Sequence, residues 1–281
     1  MMGRSFFHPA RLRRLTLYAV LVAAAVVMIL PFLWITLAAF KTQIALLMGQ
    51  TIFEPTLANF DEVLFSPASD YASNYVNSLF IASVSTIATL AIATLAAYSL
   101  VRLGWPRWAV RAILLWAVVF HMVPPITLAG AWFTMARTAG LDSSYAGLML
   151  AHITLNLPLA LWMMAIYVRE VPLELEEAAR LDGASTPTML WHVIVPLIRP
   201  GLAATAILAF IFSWNEFTVS LNLSTKLTAT VPVAIASFAQ EYVIKHTDMA
   251  AAAVLSIVPA IVLLAFASRH IVKGLTSGAI K

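Results

Sequence analysis

Glu177-Ala-Ala-Arg-Leu-Asp-Gly183, continuing through Ala184 to Val195 and Pro196, is a polar stretch set between long apolar segments. Pro172 ahead of it suits a first helical turn, and Glu174, Glu176 and Glu177 fall near the positive end of that helix's dipole. Gly183 can take the left-handed conformation that closes a helix. Thr186 before Pro187 predicts an N-cap and a first-turn proline, so a second short helix is expected towards Trp191 and His192, stopping before Pro196. Leu173, Ala178 and Leu181 share a helical face, and Ala178 and Ala179 carry so little side chain that another protein surface could approach closely. The expectation is a hairpin of two short helices, suited to docking rather than to catalysis.

The rest of the chain says where such a hairpin sits. Of 281 residues, 62% are hydrophobic and 11% charged, too little polar surface to coat a soluble domain. About 20 apolar residues span a bilayer. Six such stretches are expected, at about 15–40, 78–101, 110–132, 145–168, 197–214 and 249–267, with the hairpin at about 169–196. Residues 1–281 therefore form a single all-α transmembrane domain, with no length left for a separate catalytic one. With no cysteine, disulfides and thiolate metal sites are excluded. No basic stripe lies outside the membrane flanks, which excludes nucleic acid as a partner.

Arg4, Arg11, Arg13 and Arg14 precede an apolar run too long for a signal-peptide core, so an uncleaved first span is expected. Of the seventeen Lys and Arg, only Lys41, Arg137, Lys226 and Lys245 fall on the proposed outer segments. That bias places both termini and the hairpin in the cytoplasm. The first outer segment is acidic, with Glu54, Asp61, Glu62 and Asp70. Small residues in the second span suit close helix packing, and Pro124-Pro125 should kink or unwind the outer end of the third. Val231 to Phe238 is too short to span and reads as part of an outer segment that inserts or packs.

Glu177, Ala178, Ala179 and Gly183, followed by Val193-Ile-Val-Pro196, resemble the EAA loop of ABC importer permeases, with Val193 and Val195 where that pattern has isoleucine and leucine. Asn59-Phe60, Asn77-Ser78, Trp214-Asn-Glu-Phe217 and the C-terminal Val272-Lys-Gly-Leu-Thr-Ser-Gly-Ala-Ile280 narrow the resemblance to the carbohydrate type, and to the shorter, six-span member of a permease pair. The resemblance implies a bacterial inner-membrane protein with a second homologous permease, an ABC ATPase dimer and an extracytoplasmic sugar-binding protein as partners. ATP and Mg would be bound by the ATPase, and no cofactor or metal by this chain. It also implies coupling to the ATPase through Glu177, Ala178, Ala179, Asp182, Gly183 and Pro196, and a tail contact through Lys273 and Gly274. In the maltose system a loop corresponding to Asn222 to Asp248 reaches into the binding protein.

Each such residue has a plainer role beside the functional one. Glu177 docks on the ATPase or lies on a solvated face, and Asp182 caps the hairpin or pairs within it. Trp214, Asn215, Glu216 and Phe217 mix an aromatic face with amide and carboxylate, the chemistry that grips sugars, yet tryptophan at a span end is also an interfacial anchor. His121, His152 and Asn156 either line a path or hydrogen-bond between helices. The chain lacks a phosphate-cradling loop and a Gly-x-Ser-x-Gly elbow, so it is not expected to hydrolyse ATP or to be an enzyme. The cargo is read as a sugar, with a polyol or phosphorylated polyol as the alternative. A secondary carrier is opposed by the scarcity of charge within the spans.

Overall fold

The computed structural model describes residues 9–239 and 244–265, all of them helical or irregular, with no strand among the described residues. Arg4 and the tail with Lys273 and Gly274 lie outside the described residues. The helices are α1 (Pro9–Ala39), α2 (Gln43–Leu47), α3 (Ala58–Phe65), α4 (Tyr71–Arg102), α5 (Arg107–His121), α6 (Pro125–Thr138) and α7 (Tyr145–Glu170). They continue as α8 (Leu173–Leu181), α9 (Thr186–Met189), α10 (Val195–Leu197), α11 (Arg199–Trp214), α12 (Thr218–Leu223), α13 (Val231–Ser237) and α14 (His246–Ser256), with a π-helical turn over Leu190–Ile194.

Among the described residues, four stretches are long and apolar enough to cross a membrane: Arg13–Ala39, Tyr71–Arg102, Tyr145–Glu170 and His246–Ala265. The other two expected spans fall on bent helix pairs. Arg107–His121 and Pro125–Thr138 meet at 99°, and Thr186–Leu197 and Arg199–Trp214 at 78°. Counting each bent pair as one crossing restores six. The first break falls where Pro124 and Pro125 withhold two backbone donors, at the site expected to kink. The second falls at Ile198, ahead of Pro200.

One boundary differs from expectation. The second span begins at Tyr71 rather than near Ser78, because Asn74, Asn77 and Ser78 are buried inside α4 instead of opening it. The chain divides into two compact units, residues 1–69 with 238–255 and residues 70–237 with 256–281. The segment expected to insert or pack does pack: Val231 and Ala234 of α13 are buried, and Val231 N–H donates to Ser78 Oγ of α4 at 2.7 Å.

In the first unit, Asn59 Nδ2 donates to the carbonyls of Ala39 and Lys41 at 2.7 and 2.8 Å, pinning the end of α1 to α3. Lys41 Nζ, itself buried, reaches Gln50 O at 2.6 Å and lies 4.8 Å from the Phe53 ring centroid. In the second unit α4 and α7 are the central pair, with α11 beside both and α5 on α7. Contact is close because the buried faces are small. Ser85, Thr89, Ala93 and Ala97 lie along α4, and Gly201, Thr205, Ala209 and Ser213 repeat every fourth residue of α11.

A Cβ at Gly201 would run into the ring of Tyr167, whereas one at Gly130 meets nothing within 4 Å. Gly201→Ala should therefore cost about 1–3 kcal/mol of stability through overpacking. The cost should appear as earlier thermal unfolding in detergent, with Gly130→Ala melting like the parent.

Candidate functional site

α8 begins one residue later than the sequence suggested: Pro172, extended at φ −58° and ψ 135°, is its N-cap rather than its first turn. At the other end Gly183 takes φ +83°. Ala184 N–H donates to Ala179 O at 2.9 Å and Gly183 N–H to Arg180 O at 3.0 Å, the paired bonds of a left-handed C-terminal cap. Asp182 closes the helix through its backbone, donating to Ala178 O at 3.0 Å, and its side chain is exposed.

The second limb also shifts by one. Ser185, not Thr186, is the N-cap, and its Oγ accepts from Thr188 N–H at 3.4 Å. The limb passes through Pro196 to Leu197 instead of stopping before it. The π-helical turn explains the tolerance, since Val195 N–H bonds Leu190 O five residues back and the register is already altered where the proline's missing donor falls.

The two limbs are held differently. Met189, Leu190, Ile194 and Ile198 are buried in one cluster with Ala93, Ala97 and Tyr98 of α4 and Met164, Ala165 and Val168 of α7, which seats the second limb in the body of the unit. α8 is tied by charge. Glu176, 0% exposed, pairs with Nε of Arg102, the last residue of α4. Arg102 Nη2 donates to Val168 O at 2.9 Å and Val171 O at 2.6 Å, at the end of α7, where Val168 O also accepts from Val171 N–H at 3.4 Å. Taking one partner from such a buried pair typically costs about 3–5 kcal/mol. Neither residue was singled out in the sequence as a pair; Arg102 read as a flanking cation and Glu176 as one of several acids in the helix.

The outward face of α8 carries Glu174, Glu177, Ala178 and Leu181, all exposed, with Leu181 at 89%. Leu173 and, on the second limb, Trp191 and His192 are exposed as well. Of the residues expected to couple, Glu177, Ala178, Asp182 and Gly183 are on open surface, while Ala179 and Pro196 are half-buried, Ala179 against the cluster.

The residues expected along the path are largely engaged. Trp214 is buried, donating from Nε1 to Ser256 O at 3.1 Å, edge-on to Tyr75 with ring centroids 5.3 Å apart. Glu216 caps α12: Oε1 accepts from Val219 N–H and Oε2 from Ser220 N–H, both at 2.8 Å. Asn156 donates to His152 O at 2.8 Å within its own helix. Asn215 and Phe217 are exposed, Asn215 donating to Ile211 O at 2.9 Å. His121 is exposed and edge-on to Phe212, and His152 is fully enclosed, with Nδ1 2.7 Å from Ser213 Oγ and Nε2 3.1 Å from Ser220 Oγ. That ring joins α7, α11 and α12. No group of three or more potential metal ligands occurs among the described residues.

His152→Leu removes both hydroxyl bonds at nearly constant volume. At about 1 kcal/mol per interhelical hydrogen bond, it should lower the thermal midpoint of the purified protein by several degrees, while Thr154→Val, whose hydroxyl bonds Leu150 O within its own helix, should not.

Comparison with known proteins fits this geometry. Residues 90–277 match the family described as binding-protein-dependent transport system inner membrane component. The chain is 37% identical over 274 residues to the trehalose transport system permease protein SugB of Mycobacterium tuberculosis, covering 96% of this chain and 98% of that one. It is 33% identical over 273 residues to the trehalose/maltose transport system permease protein MalG of Thermococcus litoralis, at the same coverages. A chain in the crystal structure of a bacterial ABC transporter involved in the import of the acidic polysaccharide alginate superposes with a TM-score of 0.74 over 95% of this chain and 99% of that one, at 20% identity, a likeness of fold. The chain belongs to the binding-protein-dependent inner-membrane components, the permease subunits of ABC importers.

Proposed function

For a permease subunit with this hairpin, we propose that the helix pair at 169–196 is the seat of a cytosolic ABC ATPase, and that the chain forms half of a path for a neutral di- or oligosaccharide. The carrying observation is Leu181. It stands almost fully exposed at the end of a helix whose opposite side is fixed by a buried ion pair. Leu173 and Trp191 extend this apolar surface, and Glu174, Glu177 and Asp182 give it an acidic rim. An exposed apolar patch with a polar rim fits a partner cleft lined by apolar and basic side chains.

ATP-driven closure of the two ATPase subunits would move the hairpins of this chain and of its homologous partner together, and the spanning helices with them. An extracytoplasmic binding protein would then deliver the sugar to the outward-open path. In this arrangement both termini face the cytoplasm, ATP and Mg stay on the ATPase, and Lys273 and Gly274 reach the same partner. Two features support a neutral cargo. The relatives SugB and MalG carry trehalose and maltose in their names, and the Arg residues of the described spans, such as Arg102 and Arg107, sit at helix ends rather than midway.

Co-expression with the neighbouring transport genes and purification through a tag on this chain tests the docking. The parent should bring down an ATPase and a second permease. Gly183→Asp with Glu177→Lys should keep the second permease and lose the ATPase, because the first change strains a left-handed turn by about 1 kcal/mol or more and the second reverses a docking charge. Recovery of the ATPase at parental yield with the double variant would remove the hairpin from its assigned role.

A further inference from the structure

The docking face explains how a partner holds the hairpin, but not how a pull on the hairpin reaches the spanning helices. The second limb is seated by apolar contact, through Met189, Leu190, Ile194 and Ile198, and its backbone runs on into α11, with Ile198 N–H donating to Ile194 O at 3.0 Å. Apolar contacts are non-directional and let packed surfaces slide. α8 has, besides Ala179 against that cluster, a directional tie to α4 and α7 through one guanidinium.

Arg102 closes α4, and its three bonds go to three places. Nε holds Glu176 in the first turn of α8, and Nη2 holds the carbonyls of Val168 in the last turn of α7 and of Val171 at its cap. The guanidinium is planar, with its donors in a fixed fork, so these bonds share one geometry. It also carries positive charge at the negative end of α7's dipole, while Glu176 places negative charge at the positive end of α8's. Both side chains are shielded, at 11% and 1% exposure, so water does not replace a lost partner. Displacing α8 therefore drags Arg102 or breaks a buried pair. Glu176 Oε2 is buried and has no hydrogen-bond partner among the described residues, which leaves the carboxylate capacity to bond differently in a second arrangement of the same joint.

We propose that Arg102 is the positioning residue through which movement of the docked hairpin is passed to α4 and α7, so that its loss separates ATP hydrolysis from transport. The proposal rests on the docking described above. It does not require Arg102 to hold the hairpin in place, because the second limb remains anchored in the buried cluster.

The test uses the whole importer in proteoliposomes, with this chain as parent, Arg102→Gln, Arg102→Lys or Glu176→Gln. Three quantities are read: ATPase retained on purification, ATP hydrolysis stimulated by the loaded binding protein, and sugar accumulated per ATP. Arg102→Gln should retain the ATPase and hydrolyse ATP near the parental rate. Its sugar per ATP should fall by about tenfold, the scale of an ordinary coupling free energy. Glu176→Gln, which keeps the shape and one acceptor, should show the same split to a smaller degree. Arg102→Lys should recover only part of the loss, because an ammonium cannot fork between Glu176 and two carbonyls.

Parental sugar per ATP in Arg102→Gln overturns the proposal. So does loss of the ATPase together with transport in both Arg102→Gln and Glu176→Gln, since the pair would then serve only to place the hairpin. If the parent itself purifies without an ATPase, it is the docking that fails, and the two failures are told apart by that first measurement.

Discussion

Inside a bilayer no water reaches the chain, so each backbone donor and acceptor must find its partner within the protein. Helices meet this demand almost unaided, and Arg13–Ala39, Tyr71–Arg102 and Tyr145–Glu170 run without a break. The informative places are those where the helix stops. Asn77 Nδ2 donates to the carbonyls of Leu227 and Ala229, both at 3.0 Å, and Ser78 Oγ takes the N–H of Val231. The irregular backbone between α12 and α13 is thus completed by side chains of α4. Arg102 does the same at the other end of that helix, donating to the carbonyls of Val168 and Val171 where α7 ends.

The same demand governs the buried polar side chains. His152 would be costly in lipid, but with one hydroxyl on each ring nitrogen it becomes a brace among α7, α11 and α12. Glu216 is placed beside it, 3.7 Å from Nε2, and spends its oxygens on the first turn of α12. From sequence that position allowed either sugar contact or a plainer role at a span end. In the folded chain Glu216 lets a six-residue helix start directly after a spanning one.

Much of this was legible beforehand, for a physical reason. The helical, apolar character of the chain follows from length and hydropathy, which lipid enforces at the level of single segments. Gly183 was legible because a left-handed turn has few other solutions, and the bend near Pro124 because a missing donor acts locally. The start of α4 was not, since Asn77 and Ser78 look like a loop until their distant partners, Leu227, Ala229 and Val231, are known. Neither was the passage of the second limb through Pro196, which depends on a π-helical register that no residue type announces. Bends, such as that between α10 and α11, depend on tertiary packing as well as on proline.

The two adjacent glutamates show most clearly what only the fold decides. Successive residues of a helix point about 100° apart, so Glu176 and Glu177 cannot face the same way, and both are acids in the same first turns. A simple amphipathic reading would turn the leucines inward and both acids outward. The structure does the reverse on one side: Glu176 is buried and Leu181 is bare. A helix buries a carboxylate stably only against a fixed cation. Arg102 supplies that cation from the end of α4, so the orientation of α8 is set by one buried charge pair rather than by its leucines.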